Sequence, residues 1–87
     1  MSVDNPPSTQ MEQKLAGYWS ELLGLSEIGR GDHFISLGGN SLLATMLANR
    51  IEEDLGVRPM MGELFSTLEE VATICEQLVR EQSEAEG

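Results

Sequence analysis

The spacing of apolar residues most constrains what this chain can fold into. In three separate stretches they recur every three or four positions, the repeat that places side chains on one face of an α-helix. No stretch alternates apolar and polar residues for long enough to form a half-buried strand. Helix signals bound the stretches: Thr9 and Glu12 have the form of a capping box, and Gly24 and Gly56 can end helices. The sequence therefore predicts an all-α fold.

The predicted elements are three long helices and one short helix. The first helix lies between Thr9 and Gly24, and the second begins at or next to Ser41 and ends at Leu55. The segment MGELF, residues 61–65, is expected to form the short helix, and the last helix follows Ser66, which with Glu69 has the form of a second capping box. Together these elements give a compact four-helix bundle.

The chain has 87 residues, which is enough for one small domain. We expect residues 9–80 to be folded, after a disordered lead at residues 1–8 and before a disordered acidic tail at residues 81–87. Residues 25–40 break the helical repeat and are predicted to form a long loop between the first two helices. Loops of this length in a small domain often carry function.

Charge and composition exclude several classes of function. With 5 Lys and Arg against 15 Asp and Glu, the formal net charge is -10, which repels nucleic acid and anionic lipid and attracts basic protein surfaces. One cysteine and one histidine cannot form an internal disulfide or a His- or Cys-rich zinc site. Without a recognisable signal peptide or a long apolar run, the chain is expected to be cytoplasmic, with no membrane segment, and monomeric.

The segment LGGNS, residues 37–41, places a serine directly before a helical pattern. Serine is a favoured N-cap, so one interpretation is that Ser41 only satisfies backbone N–H groups of the next helix. The preceding Gly38 and Gly39 favour another, because a hydroxyl that a second macromolecule must reach benefits from small neighbours. A phosphate on Ser41 would also lie near the positive end of the helix. The pattern is therefore compatible with a modified serine as well as with a cap.

Catalytic uses of this segment are disfavoured. The sequence GNSLL lacks the second glycine of a G-x-S-x-G nucleophile elbow, and His33 in the loop is the only histidine that could act as a base. A phosphate-binding P-loop is excluded because no lysine follows the glycines.

The second helix has an apolar face for the core and two further apolar residues outside it. Successive rotation of about 100° per residue places Leu42 and Met46 on the other side, with Thr45, Asn49 and Glu53. This side is a candidate docking face for a partner, although Leu42 and Met46 could instead pack under the long loop. The predicted core face consists of Leu43, Ala44, Leu47, Ala48, Ile51 and Leu55.

The run DHFISLGGNSLLA, residues 32–44, resembles the attachment motif of thiolation domains, the peptidyl carrier proteins of nonribosomal peptide synthesis. YWSELLGL at residues 18–25 resembles the end of that family's first helix, and VRPMMGELF at residues 57–65 resembles its short helix. The resemblance thus covers residues 11–80. Asn40 differs from the His or Asp that is commoner in the family, and Ile35 replaces a frequent second aromatic residue.

The resemblance implies that Ser41 accepts 4'-phosphopantetheine from coenzyme A, in a reaction performed by a separate phosphopantetheinyl transferase with magnesium. It also implies that the chain is a carrier and not an enzyme: the arm holds an aminoacyl or acyl group as a thioester. An adenylating enzyme would load this cargo, and a condensation or tailoring enzyme would use it. Asp32 matches an aspartate that fixes the loop, and Leu42 and Met46 match positions that partners touch. The positions flanking the attachment serine are matched by Gly38, Gly39, Asn40 and Leu42.

The resulting hypothesis is a free-standing peptidyl carrier protein whose partners act in trans. One alternative is an acyl carrier protein of polyketide or fatty-acid type, which the strongly acidic charge resembles, whereas the double glycine favours the peptidyl family. The other alternative is an unmodified acidic helical module that binds a basic protein.

Overall fold

The computed structural model describes residues 5–86 and contains no strand within that range. The predicted all-α fold, with three long helices, one short helix and a long loop after the first, is confirmed. In chain order the helices are α1 (Gln10–Leu23), α2 (Ser41–Leu55), α3 (Met61–Leu64) and α4 (Leu68–Glu86).

The first helix begins and ends where the sequence predicts. Thr9 is its N-cap, since its side chain accepts a hydrogen bond from the Glu12 N–H at 3.0 Å. Gly24 ends the helix with a left-handed φ of 71°, and its N–H donates to the Ser20 carbonyl. The capping box predicted for Thr9 and Glu12 is only half formed, because the Glu12 carboxylate accepts from Ser8 and Arg30 instead of from the Thr9 N–H.

The last helix starts one residue later than predicted. Thr67, not Ser66, provides the cap: its hydroxyl oxygen lies 3.3 Å from the Glu70 nitrogen, and Glu70 Oε1 accepts from the Thr67 N–H at 3.1 Å. The capping box of Ser66 and Glu69 is therefore wrong. The Ser66 carbonyl instead accepts from the Phe34 N–H of the loop at 3.1 Å, so residue 66 pairs with the loop and the helix begins after Thr67.

Both ends of the described chain form hydrogen bonds with the rest of the domain. The fourth helix continues to Glu86, past residue 80, and Gln82 Nε2 donates to the Gly56 carbonyl at 3.1 Å. At the other end, the Asn5 carbonyl accepts from the Arg30 N–H at 2.8 Å. Residues 1–4 of the predicted lead and residue 87 of the predicted tail lie outside the described residues. The division into lead, domain and tail stays a prediction.

A single core joins the long helices and the loop. Phe34 comes from the loop, is fully buried, and lies edge-on to Trp19 of the first helix, with ring centroids 5.2 Å apart. Burial of a side chain of this size stabilises the fold by about 2 to 3 kcal/mol. Cys75 is also fully buried, and burial raises the pKa of its thiol to about 12. The other fully buried large side chains are Leu15, Leu47, Ile51, Leu64, Leu68 and Val71.

Candidate functional site

The loop before the second helix is fastened to the start of α4. The Leu68 N–H donates to the Asp32 carbonyl at 3.0 Å, and the Glu69 N–H donates to the Arg30 carbonyl at 3.0 Å. The Asp32 carboxylate accepts from the Gly29 N–H at 2.8 Å, which closes a turn within the loop. Asp32 therefore contacts the loop through its side chain and α4 through its backbone carbonyl.

The two glycines of LGGNS are required by the geometry of a turn. Gly38 has a φ of 104°, which residues with a side chain rarely adopt. The Gly39 N–H donates to the Phe34 carbonyl at 2.9 Å, and the Gly39 backbone lies so close to the Phe34 ring that a Cβ there would be 2.4 Å from Cδ2. Backbone conformation and packing thus explain both glycines, whereas the sequence suggested access to the serine as their reason.

Asn40, and not Ser41, is the N-cap of α2. Its Oδ1 accepts from the Leu43 N–H at 2.9 Å, and its backbone carbonyl accepts from the Ala44 N–H at 2.8 Å. Ser41 is consequently the first residue of the helix and is exposed. The interpretation of Ser41 as a cap is wrong, because asparagine is at least as favourable in this position.

The environment of Ser41 fits a phosphodiester. The first turn of α2 contains no acidic residue, and a helix N-terminus carries partial positive charge. The side-chain oxygen of Asn40 satisfies the N–H of Leu43, but it leaves the Ser41 hydroxyl outside the cap. An exposed hydroxyl at this end of a helix can take a phosphate group without burying its charge.

Next to this hydroxyl lie exposed apolar side chains. Leu42 is 70% exposed and Met46 is 44% exposed, so both lie outside the core, and the alternative that they pack under the loop is wrong. Sequence reasoning missed three more: Ile35 in the loop, and Met60 and Met61 at the start of α3, which packs against α2. The paired methionines of RPMMGEL were the available signal, because a short helix can bury few of its apolar residues.

The polar residues predicted on the docking face differ in their surroundings. Thr45 donates through Oγ1 to the Ser41 carbonyl at 2.9 Å, and Asn49 Oδ1 accepts from Arg58 at 2.8 Å. Glu53 is exposed and lines, with Asn49 and Met46, a shallow groove that also includes Leu22 and Arg50. The structure therefore brings three of the predicted docking residues together in one groove between α1 and α2.

The only histidine is held within the loop. His33 Nδ1 accepts from the Ile35 N–H at 3.2 Å, and residue 33 also forms an isolated β-bridge with Thr67. Its ring is thus engaged by the backbone of its own turn. None of the helices between residues 5 and 86 combines the length and apolar content that crossing a bilayer requires.

The sequence model of the family described as phosphopantetheine attachment site matches residues 13–78. The chain belongs to this family. The resemblance drawn from DHFISLGGNSLLA is therefore confirmed, and with it the role of a carrier that enzymes act upon and the prosthetic group, 4'-phosphopantetheine.

Curated relatives of this carrier domain are large synthetases. Surfactin synthase subunit 2 of Bacillus subtilis (strain 168) is 39% identical over 80 residues, which are 90% of this chain and 2% of the synthase. The carrier domain thus spans a small fraction of the relatives that it matches.

Solved structures share the four-helix fold. A chain in the complex of the phosphopantetheine transferase Sfp with coenzyme A and a peptidyl carrier protein is 31% identical, with a TM-score of 0.80, and the match covers 84% of this chain and 97% of that one. An active-site mutant of a peptidyl carrier protein, solved in solution, is 29% identical, with a TM-score of 0.82 and coverage of 90% and 89%.

Proposed function

We propose that Ser41 is the residue to which 4'-phosphopantetheine is attached, and that the domain carries an aminoacyl or acyl group as a thioester in nonribosomal peptide or hybrid natural-product synthesis. The observation that carries this proposal is the exposed hydroxyl of Ser41 at the first position of α2, left outside the helix cap because Asn40 provides the cap oxygen.

Attachment needs a hydroxyl that a transferase can reach and a place for the new negative charge. The Ser41 hydroxyl oxygen attacks the phosphorus atom of coenzyme A that is esterified to pantetheine, and the bond from that phosphorus to the bridging oxygen of the pyrophosphate breaks. Adenosine 3',5'-bisphosphate leaves, and the hydroxyl proton passes to a base of the transferase. The carrier itself supplies the oxygen and its position. The phosphodiester then lies at the positive end of α2, where the first turn has no carboxylate to repel it.

Once attached, the group supplies a thiol at the end of a long arm, which forms the thioester with the cargo. The residues of this chain contribute recognition instead of chemistry. Leu42 and Met46 offer apolar contact area beside the attachment point, and Glu53 in the adjoining groove favours a basic residue of the partner.

The expected partners are a phosphopantetheinyl transferase, an adenylating enzyme that loads the cargo, and a condensation or tailoring enzyme that consumes it. The synthetase relatives and the transferase complex among the solved structures support this set. That the partners act in trans, and that the carrier is a monomer, stay predictions.

The test is intact mass spectrometry after incubation with coenzyme A, magnesium and a broad-specificity phosphopantetheinyl transferase. The native chain should gain one phosphopantetheine, and Ser41→Ala should gain none. Ser36→Ala is the matched control, because Ser36 is an exposed serine in the preceding loop and its variant should be modified like the native chain.

Fragment spectra should place the added mass on Ser41. Modification of the Ser41→Ala variant, or of another residue in the native chain, would show that Ser41 is not the attachment site. No modification of a folded native chain would favour the unmodified interaction module. Incubation of the modified carrier with amino acids, ATP and candidate adenylating enzymes would then separate a peptidyl carrier from an acyl carrier of polyketide or fatty-acid type.

A further inference from the structure

We infer that Phe34 is a positioning residue for the modification of Ser41, and that it acts through its contact with Gly39. This inference rests on the proposed function, because it concerns how the Ser41 hydroxyl is presented to the transferase. It assigns to a buried aromatic residue of the loop an effect on the rate of a reaction in which it does not take part.

The contact between Phe34 and Gly39 leaves room for a hydrogen atom only. A Cβ on Gly39 would lie 2.4 Å from Cδ2, 2.5 Å from Cε2 and 2.7 Å from the carbonyl oxygen of Phe34. These separations are far below van der Waals contact between heavy atoms. The backbone at residue 39 therefore lies directly against the Cδ2 and Cε2 atoms of the ring and against the Phe34 carbonyl oxygen.

The ring cannot move away from this contact without disturbing the core. Phe34 is fully buried, with Trp19 edge-on at 5.2 Å and the Phe65 ring at 6.3 Å between centroids. Its own backbone is tied to the segment before α4, since the Phe34 N–H donates to the Ser66 carbonyl at 3.1 Å. Close packing in the interior makes Phe34 a fixed support for the turn.

Gly39 lies only two residues before Ser41, so the contact with Phe34 fixes the backbone that leads directly to the attachment point. Gly39 is held by its own hydrogen bond to the Phe34 carbonyl at 2.9 Å, and it is followed by Asn40, whose side chain and carbonyl start α2. A shift of the backbone at Gly39 moves the N-cap residue Asn40 and changes the direction in which the Ser41 hydroxyl points from the helix. Transfer of a phosphate group depends steeply on such placement, because a misplacement of about 1 Å can cost roughly 100-fold in rate.

The first variant to measure is Gly39→Ala, in steady-state modification by the phosphopantetheinyl transferase with coenzyme A. We expect kcat to fall by about 10-fold to 100-fold, while KM for the carrier changes by less than about threefold, because the exposed side chains of Leu42 and Met46 are retained. Gly31→Ala is the matched control: it lies in the same loop, a Cβ there meets no atom within 4 Å, and its φ is not positive. Its kinetics should equal those of the native carrier.

A second variant and a double variant test whether Phe34 is responsible. Phe34→Leu removes part of the ring that supports Gly39, and we expect a lower kcat with KM little changed. In the double variant the smaller leucine relieves the clash of the added Cβ with the ring, although the contact with the backbone carbonyl oxygen of residue 34 remains. Its kcat should therefore exceed the value calculated by multiplying the two single-variant reductions. Circular dichroism and thermal melts establish which variants are folded.

The outcomes separate this inference from the proposed function. A native carrier that is not modified at Ser41 overturns both. A native carrier that is modified, with a folded Gly39→Ala variant that has native kcat, overturns the positioning role alone. Independent effects of the two substitutions in the double variant also overturn it. If Gly39→Ala does not fold, Phe34→Leu decides, and native kcat in that folded variant contradicts the inference.

Discussion

Glu12 on α1 and Arg30 in the long loop form a paired contact, with Oε1 of Glu12 at 3.1 Å from Nε and Oε2 at 2.8 Å from a terminal guanidinium nitrogen of Arg30. Glu12 is only 3% exposed, and its carboxylate also accepts from the Ser8 N–H at 2.8 Å. This buried carboxylate joins the residues before α1, the helix itself and the loop that leads to Ser41.

Replacement of the buried carboxylate should therefore destabilise the fold. Glu12→Gln keeps the shape of the side chain but removes the charge and gives the guanidinium a weaker acceptor. We expect a loss of about 2 kcal/mol in the free energy of unfolding, measured by urea denaturation. Glu21→Gln is the control, because it removes the exposed ion pair with Arg50 at 2.8 Å and should change stability little. Equal losses in the two variants would contradict a special role for Glu12.

The same contact predicts a pH dependence of stability. Hydrogen bonding from the Arg30 guanidinium holds the pKa of Glu12 at about 2, below its usual 4.5. Because the folded-state pKa is the lower one, the ionised carboxylate stabilises the fold fully above pH 4.5, and this contribution is lost as the pH falls toward 2. The difference in unfolding free energy between the native chain and Glu12→Gln should thus narrow across this range. A constant difference would show that another group is responsible.

Capping of α2 can be separated from attachment. Asn40→Ala should cost about 1 kcal/mol in stability, because the N–H of Leu43 loses its acceptor. Asn40→Asp supplies another acceptor and should restore stability. Ser41→Ala should leave the thermal midpoint almost unchanged, since Ser41 lies outside the cap, yet abolish attachment. A large fall in the midpoint of Ser41→Ala would show that its hydroxyl has a structural role.

The exposed apolar residues of α2 should matter for partners and not for stability. Leu42→Glu and Met46→Glu should raise KM for the carrier in the transferase reaction and in loading, with little change in the thermal midpoint, because both side chains are exposed. Leu47→Ala is the contrasting variant, since Leu47 is fully buried and its truncation should cost about 2 to 5 kcal/mol. Unchanged kinetics in both glutamate variants would remove these residues from the docking face.

The helices could be predicted from sequence because their signals are local. Gly24 and Gly56 lie in the left-handed conformation at the ends of α1 and α2, where the sequence placed them. The start of α4 was misplaced because Ser66 and Thr67 are both adequate caps, and the choice depends on a hydrogen bond from distant Phe34. The hydrogen bond from Gln82 to the Gly56 carbonyl could not be predicted either, because it joins two helices that are distant in sequence.

The candidate site also combines features that the sequence predicts with features that it does not. The motif around Ser41 and the off-core position of Leu42 and Met46 follow from residue types and helical spacing, so they were accessible from sequence. The ion pair of Glu12 and Arg30 was not, because it joins residues 18 positions apart through the path of the loop. The contact between Gly39 and Phe34 was hidden for a related reason: a missing side chain gives no signal of what lies against it.

Because Trp19 packs edge-on against Phe34, its indole is an intrinsic fluorescent probe of this part of the core. Trp19 is the only tryptophan in the chain, so its emission can be recorded without labelling and assigned to one place. Since Phe34 also supports the turn before Ser41, any partner that displaces this turn changes the surroundings of the indole. Stopped-flow fluorescence can thus report such a displacement in real time with the native sequence.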